Sequence, residues 1–201
     1  KLNYDKFNSK TISDGSANSI YSSMISRILT MAPYWADTYA PDALPTPMKD
    51  ILNMGYTLLT DKNGNYYSTL GSGESVHPMV AINAYDRKTY GNHLMGTIYA
   101  NLTPIKDLVF TSRLGFNETT SNYYSYSNDY YGSSSVLNLK NTATRSTSTT
   151  TYYQLENFFN YNKTFGDHNI SLMGGMSYSR NDFTYVYASV DNVSKDDSHY
   201  A

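Results

Sequence analysis

The chain has 201 residues, enough for one ordinary domain with its own core. Its 15 Lys and Arg against 17 Asp and Glu leave a formal net charge of -2, which excludes a general nucleic-acid binder, because such a protein needs a basic surface. The sequence contains no cysteine, so disulfides, thiolate metal sites and cysteine nucleophiles are excluded as well.

The composition favours β structure. The sequence has 22 Tyr and 7 Phe with only 16% charged residues, and Ser, Thr and Asn fill much of the remainder. Tyr and Thr favour strands, whereas Asn, Ser and Gly favour turns. We therefore expect a mostly β chain, and no apolar run reaches the roughly 18 residues that a membrane-spanning helix needs.

The first predicted strand covers residues 1–9, so the chain begins inside a strand. We expect that a leader has been removed or that the sequence is part of a longer polypeptide. Residues 11–88 then form a predicted long extracellular loop. Within this loop, apolar residues recur at helical spacing from Ile20 onward, which predicts a short helix over 19–32 that ends before Pro33.

Two β-hairpins are predicted after this loop. In residues 93–117, apolar residues such as Leu94 alternate with polar ones on both sides of a short connection at 103–107. The same pattern returns in residues 153–178, on both sides of a short connection that begins at Gly166. Each alternating run has about ten residues, which is the length that crosses a bilayer at a tilt of about 45°.

The connections and the two faces of these hairpins indicate a barrel wall. Residues 121–150 form a second predicted extracellular loop, and short turns at one end with long loops at the other are typical of bacterial outer-membrane barrels. The polar face carries little charge and the apolar face includes Gly and Ala, which favours a lipid-facing wall around a wet lumen over a secreted β-sandwich. The predicted fold class is all-β, a segment of a large antiparallel transmembrane β-barrel.

The predicted strands are too few to close a barrel. They number about five, whereas a single-chain membrane barrel has at least about eight. An open sheet would leave two unpaired edges in lipid, which is not tolerated. Either the sequence is a segment of a larger chain, or several copies pool their strands; the start inside a strand favours the first option.

Three stretches resemble a known family. Residues 101–115, Asn-Leu-Thr-Pro-Ile-Lys-Asp-Leu-Val-Phe-Thr-Ser-Arg-Leu-Gly, are similar to a barrel hairpin of the SusC/RagA-type TonB-dependent outer-membrane transporters. So are residues 156–169, with the distinctive run Tyr-Asn-Lys-Thr-Phe-Gly-Asp-His. Residues 29–33 together with 61–66 resemble the extracellular loop before the first of these hairpins. The resemblance covers about residues 16–178.

The resemblance implies a function as well as a fold. It implies a barrel of about 22 strands in the bacterial outer membrane, plugged by an N-terminal domain. It also implies energy delivered through TonB, a SusD-like surface lipoprotein that lids the barrel, and import of an oligosaccharide or peptide cargo. The plug, the TonB-contacting segment and the closing strand are not visible in these residues, so transport is implied by the resemblance alone.

Two groups of residues are candidate contact sites. The Pro-stiffened loop 33–41 holds the only Trp beside two Tyr, which suits a substrate or partner interface, or else packs the loop onto its neighbours. The polar parity of the hairpins predicts lumen-lining residues, and two of these, Arg113 and Glu156, could equally contact a plug or each other. The loop aromatics are Tyr34, Trp35 and Tyr39, and the lumen-lining residues are Tyr99, Asn101, Arg113, Gln154 and Glu156.

The sequence offers no catalytic or metal-binding pattern. Its four His are scattered without metal-ligand spacing. Asp61-x-Asn63-x-Asn65 imitates the start of a calcium loop, but Gly64 is misplaced, so we interpret it as a turn. We expect no enzymatic activity, no metal and no cofactor. The alternatives are an oligomeric outer-membrane barrel or porin, a secreted or surface carbohydrate-binding β-sandwich, and a surface hydrolase, which would need a triad or carboxylate pair.

Overall fold

The computed structural model describes residues 1–10, 28, 36–70 and 76–194. In this part of the chain, 67% of the residues lie in strands and 11% in helices, and the main sheet is large and antiparallel, so the prediction of a mostly β chain is confirmed. The helix predicted over 19–32 lies outside the described residues apart from Ile28. Neither helix among the described residues has the length and hydropathy to cross a membrane.

The described residues form one large sheet and two small ones. The large sheet has five strands in the order β1-β4-β5-β8-β9, while β2 pairs with β3 and β6 pairs with β7. The helical segments are a 3-10 turn at Pro41–Ala43, α1 (Thr46–Asn53) and α2 (Pro78–Asn83). The strands are β1 (Leu2–Lys10), β2 (Thr38–Tyr39), β3 (Tyr66–Tyr67), β4 (Tyr85–Ile105), β5 (Leu108–Ser127), β6 (Tyr130–Ser133), β7 (Val136–Asn138), β8 (Thr142–Phe165) and β9 (His168–Asp191).

The two hairpin turns are shorter than the sequence predicts. β4 continues through Pro104 to Ile105, so the turn before β5 holds only two residues, and Asp107 adopts a left-handed conformation there with φ of 71°. The turn between β8 and β9 also holds two residues, and Gly166 has φ of 57° at its first position. Glycine adopts positive φ without steric cost, which suits a two-residue turn of this kind.

The long strands replace much of the loop predicted over 121–150. β5 runs to Ser127 and β8 begins at Thr142, so the connection shrinks to 128–141 and contains the β6–β7 hairpin. Hydroxyl and amide side chains join the two strands here, since Thr147 Oγ1 donates to Asn122 Oδ1 at 2.9 Å. Threonine and tyrosine favour strands, and this preference outweighs the loop-like Ser and Asn content. The other predicted loop, 11–88, also ends earlier, because β4 begins at Tyr85.

The chain divides into two compact units. The first consists of Lys1–Asn8, Tyr90–Asn122 and Ser146–Val186, and the second of Ser9–Thr89, Tyr123–Arg145 and Tyr187–Ala201. All residues of the first unit are described, and none of its large apolar side chains is buried. Every buried hydrophobic residue of the described chain belongs to the second unit. The first unit is therefore a sheet wall without a core of its own.

The second unit has a conventional core that joins the segments before β4 and after β5. One cluster gathers Tyr67, Val76, Val80, Ala84 and Tyr130. Backbone hydrogen bonds cross between the two segments, from Asn128 N–H to Ala84 C=O and from Tyr131 N–H to Thr57 C=O, each at 2.8 Å. A second cluster is formed by Leu44, Met48 and Leu58.

One side chain fixes the end of β5 in this unit. The Asn138 amide nitrogen donates to the carbonyl oxygens of Asn128 at 2.7 Å and of Lys140 at 2.8 Å, and to Ser127 Oγ at 3.2 Å. Amide side chains commonly satisfy backbone carbonyls at turns in this way. The β6–β7 hairpin is thereby tied to the end of β5.

Two adjacent glycines on β9 test how closely β8 and β9 pack. A Cβ on Gly175 would lie 2.5 Å from Phe158 Cβ and 2.8 Å from Asn157 O, whereas a Cβ on Gly174 would meet nothing within 4 Å. We expect Gly175→Ala to lower the free energy of unfolding by about 1–3 kcal/mol through overpacking. Gly174→Ala, the matched control, should change it by less than about 0.5 kcal/mol. Thermal unfolding of both variants measures the difference, and equal midpoints would contradict the close approach.

Candidate functional site

Alternate residues of the first unit form two faces with different chemistry. We call the side of Asn101, Arg113 and Glu156 the polar face, and the side of Phe110 and Phe159 the apolar face. Cross-strand contacts follow this division on both sides: the Arg113 guanidinium lies 3.2 Å from the Glu156 carboxylate, and the rings of Phe110 and Phe159 lie 4.7 Å apart. These contacts agree with the alternation predicted from the sequence.

A chain of hydrogen bonds organises the polar face between β5 and β8. Arg113 Nη1 donates to Glu156 Oε2 at 3.2 Å, and Gln154 Nε2 donates to Glu156 Oε1 at 2.9 Å. Tyr152 OH donates in turn to Gln154 Oε1 at 2.8 Å, and Gln154 Nε2 also lies 3.4 Å from Ser177 Oγ. The structure thus brings together three of the five predicted lumen-lining residues.

The ion pair in this network is partly solvated. The Arg113 side chain is 50% exposed and that of Glu156 is 28% exposed. A partly exposed ion pair contributes about 0–1 kcal/mol to the free energy of unfolding in water, so its contribution to stability is small. What it does is neutralise both charges locally and hold the Glu156 carboxylate in place for Gln154.

The other two predicted lumen residues lie nearer the β4–β5 turn. Asn101 Oδ1 accepts a hydrogen bond from Thr111 Oγ1 at 3.0 Å across the hairpin. Tyr99, on the same parity as Asn101, exposes its side chain. They lie on the same face as Arg113 but outside the hydrogen-bond chain that joins Arg113 to Tyr152.

A groove of about 400 Å³ opens on the polar face above Gly115. A Cβ at Gly115 would have no atom within 4 Å, so the missing side chain leaves open space. Gly115 and Tyr152 were not predicted as site residues from the sequence, because a groove depends on which residues are neighbours on adjacent strands. The side chains that line it include Lys1, Asn3, Thr97, Asn117, Tyr152 and Gln154.

The apolar face is exposed and is interrupted by charged residues, and on β9 it resumes beyond them at Val186. On β9, exposed apolar side chains alternate from Ile170 to Tyr178, and beyond them Arg180 Nε lies 2.9 Å from the Asp182 carboxylate. On β5 the apolar residues end at Glu118, whose carboxylate accepts from Thr151 at 3.5 Å. Other exposed apolar side chains on this face include Leu2, Ile98, Leu102, Leu114, Leu155, Phe159, Leu172 and Met176.

Of the three predicted loop aromatics, Tyr39 is the one that lies in the described part of the chain. Tyr34 and Trp35 lie outside the described residues. Tyr39 is on β2, half-buried, and packs against the cluster of Leu44, Met48 and Leu58. Packing against this cluster explains the position of Tyr39, in line with the alternative interpretation of the sequence, that the loop aromatics pack the loop onto its neighbours.

The calcium-like motif at Asp61 forms a turn closed by its own carboxylate. Asp61 Oδ1 accepts from the backbone N–H groups of Asn63 at 2.8 Å and Asn65 at 2.9 Å, while Oδ2 accepts from the Asn65 amide at 3.3 Å. These donors, Asn65 N–H first, lower the pKa of Asp61 below its usual value. The described residues contain no group of three or more His, Cys, Asp or Glu that would hold a metal ion.

No protein-family model matches the chain, and no curated protein matches its sequence. The features that bear on function are therefore the two faces of the sheet and the groove.

A buried histidine caps α2 in the second unit. His77 Nδ1 accepts a hydrogen bond from the Met79 N–H at 3.1 Å, so this nitrogen carries no proton. The His77 side chain is 5% exposed and stacks on Tyr67 with ring centroids 5.6 Å apart, and its Nε2 lies 3.9 Å from the Asp37 carboxylate. Burial lowers the pKa of His77 below 6.5, although Asp37 opposes this shift.

The lowered pKa of His77 predicts lower stability in acid. Below about pH 6.5 the unfolded chain binds a proton that the folded chain refuses, so stability is complete above that pH and falls as the pH drops towards the folded pKa. We expect a thermal midpoint a few degrees lower at about pH 5 than at about pH 7.5. His77→Asn keeps a capping oxygen without titrating, and should flatten this dependence. His168→Asn, at the exposed first residue of β9, is the control and should not.

Proposed function

We propose that this chain is part of a transmembrane β-barrel of the bacterial outer membrane, of the SusC/RagA type, which imports oligosaccharide or peptide nutrients with energy from TonB. The observation that carries the proposal is the exposed apolar face of a sheet that has no core. The proposed transporter also has a SusD-like lipoprotein as its lid, and the lipid bilayer surrounds the barrel wall. The proposed role is transport, without enzymatic chemistry.

The first support is energetic. Each large aliphatic side chain left in water forfeits about 1.5–3 kcal/mol of burial, and the apolar face leaves many such side chains exposed. Exposed apolar patches of this extent mark interaction surfaces. The hydrocarbon of a lipid bilayer covers an apolar face without shape complementarity, and it would cover Ile98, Leu172 and Met176 together.

The second support is the height of the apolar band. On β9 the run before the first charged pair spans residues 170–178, close to the roughly 9–11 residues that a tilted strand needs to cross a bilayer, and exposed apolar residues resume at Val186. Arg180 and Asp182 lie beyond one end, and Lys163, 5.1 Å from the Phe165 ring, lies near the other. Charges at both ends of an apolar band match the boundaries between lipid and water.

The third support is the contrast between the faces. Arg113, Gln154 and Glu156 form a hydrogen-bonded network on the polar face, directly behind the apolar residues. The strands of membrane barrels alternate in this way, with apolar side chains outward and polar side chains towards a water-filled lumen. A β-sandwich would instead bury its apolar face under a second sheet, and the fully described first unit is a single sheet without that cover.

The two edge strands bear on how the barrel closes. Within the described residues, β1 and β9 each have a neighbour on one side only, and nearly all their side chains are exposed. Unpaired backbone groups are not stable in lipid, so further strands must pair with both edges. A longer polypeptide supplies them in our proposal, and other copies of the chain supply them in the alternative, an oligomeric barrel or porin.

Two neighbouring residues on β9 test the membrane assignment. Leu172 is 62% exposed on the apolar face and Met173 is 74% exposed on the polar face, at almost the same height. We expect Leu172→Arg to cost about 2–4 kcal/mol in lipid and to reduce the protein in the outer membrane severalfold. Met173→Arg, the matched control, should leave that amount unchanged. Cell fractionation measures both; equal tolerance of the two variants, or recovery of the protein without detergent, contradicts the proposal.

The size of the native molecule separates the two modes of closure. If one polypeptide forms the barrel, an antibody against residues 128–141 should detect, in the producing cell, a denatured chain several times longer than 201 residues. A denatured chain of about this length inside a larger heat-sensitive assembly would instead favour pooling of copies.

A further inference from the structure

We infer that the groove at Gly115 is a binding site for a saccharide, through amide and hydroxyl contacts and one tyrosine ring. This inference rests on the proposed function, because it needs the polar face to line an aqueous lumen. It goes further by naming the residues that touch the cargo and by choosing between the two classes of cargo.

The space at this site comes from the absence of one side chain. Gly115 occupies the middle of the wall on β5, and a Cβ built there would have no neighbour within 4 Å. The groove of about 400 Å³ falls within the roughly 300–1,000 Å³ that small-ligand sites occupy. A longer side chain at this position would fill the space.

The walls offer paired donors and acceptors. Asn3, Asn117 and Gln154 carry amides, each with a donor and an acceptor in one plane, and Thr97 carries a hydroxyl. A sugar hydroxyl also donates and accepts at once, so groups of this kind suit it well. The partly exposed Tyr152 ring adds an apolar surface with a polar tip, which suits the C–H face of a sugar ring.

Three of these groups are already held in position. Tyr152 OH donates to Gln154 Oε1 at 2.8 Å, and Gln154 Nε2 donates to Glu156 at 2.9 Å. The Asn117 Oδ1 lies 2.8 Å from His93 Nε2. Groups that are oriented before binding lose less entropy when a ligand arrives.

The charges and apolar groups favour a saccharide over a peptide. Arg113, the nearest guanidinium in the network, is engaged with Glu156. Lys1 is the charged side chain in the lining, so a glycan with a carboxylate fits as well as a neutral one. A peptide would also bring apolar side chains, for which the polar-face lining offers mainly Met95.

Two pairs of variants test the site in the full native polypeptide, purified from the outer membrane in detergent. Gly115→Leu fills the groove, and Gly174→Leu adds the same side chain on the apolar face, where a Cβ also meets nothing. Tyr152→Ala removes the ring, and Tyr152→Phe keeps it. The probes are an array of neutral and uronic-acid oligosaccharides and a library of short peptides.

We expect the native protein to retain oligosaccharides from the array. Gly115→Leu and Tyr152→Ala should weaken retention by about tenfold or more, and Tyr152→Phe should weaken it less than Tyr152→Ala because the ring remains, while Gly174→Leu should stay within about threefold of the native protein. Comparable amounts of all variants in the outer membrane would show that folding is intact; if Gly115→Leu does not assemble, the Tyr152 pair decides alone.

The contrary outcomes separate the two proposals. If the native protein is found in the outer membrane but retains only peptides, retains nothing, or retains glycans equally well in the Gly115→Leu and Tyr152→Ala variants, the saccharide groove is wrong and the barrel stands. If the native protein is not in the outer membrane, the barrel itself is wrong, and the groove falls with it.

Discussion

The need to remove one face of the sheet from water is the constraint on which the rest of this structure depends. In the first unit, Ile98, Leu172 and Met176 stand exposed on one side, and the fully described unit packs no second layer over them. A soluble domain pays for its lost chain entropy by burying such groups. In the first unit these groups stay exposed, and in our proposal lipid covers them.

The second unit solves the same problem internally. Tyr67, Val80 and Tyr130 are buried in one cluster, and backbone hydrogen bonds join the segment before β4 to the connection after β5. Several of its polar groups are matched locally, as in the Asp61 turn and the three bonds from Asn138. The two units therefore differ: the second has a core of its own, whereas the first leaves its large apolar side chains exposed.

Strand alternation was readable from the sequence, while strand length and lateral order were not. The period-two pattern placed Arg113 and Glu156 on one face and Phe110 and Phe159 on the other, and the contacts agree. The extent of β5 and β8 was missed because Thr and Ser serve loops and strand ladders equally well. The groove at Gly115 was missed because it depends on register across four strands, and register depends on turn conformations such as that of Asp107.

The connection lengths also bear on how this sheet forms. β4 meets β5, and β8 meets β9, across turns of two residues, so each hairpin can close with little loss of chain entropy. β1 reaches β4 only after a segment of more than 70 residues has been brought back to it. Contacts between distant residues form slowly, so the two hairpins are the natural starting points for assembly, and the pairing of β1 with β4 comes late.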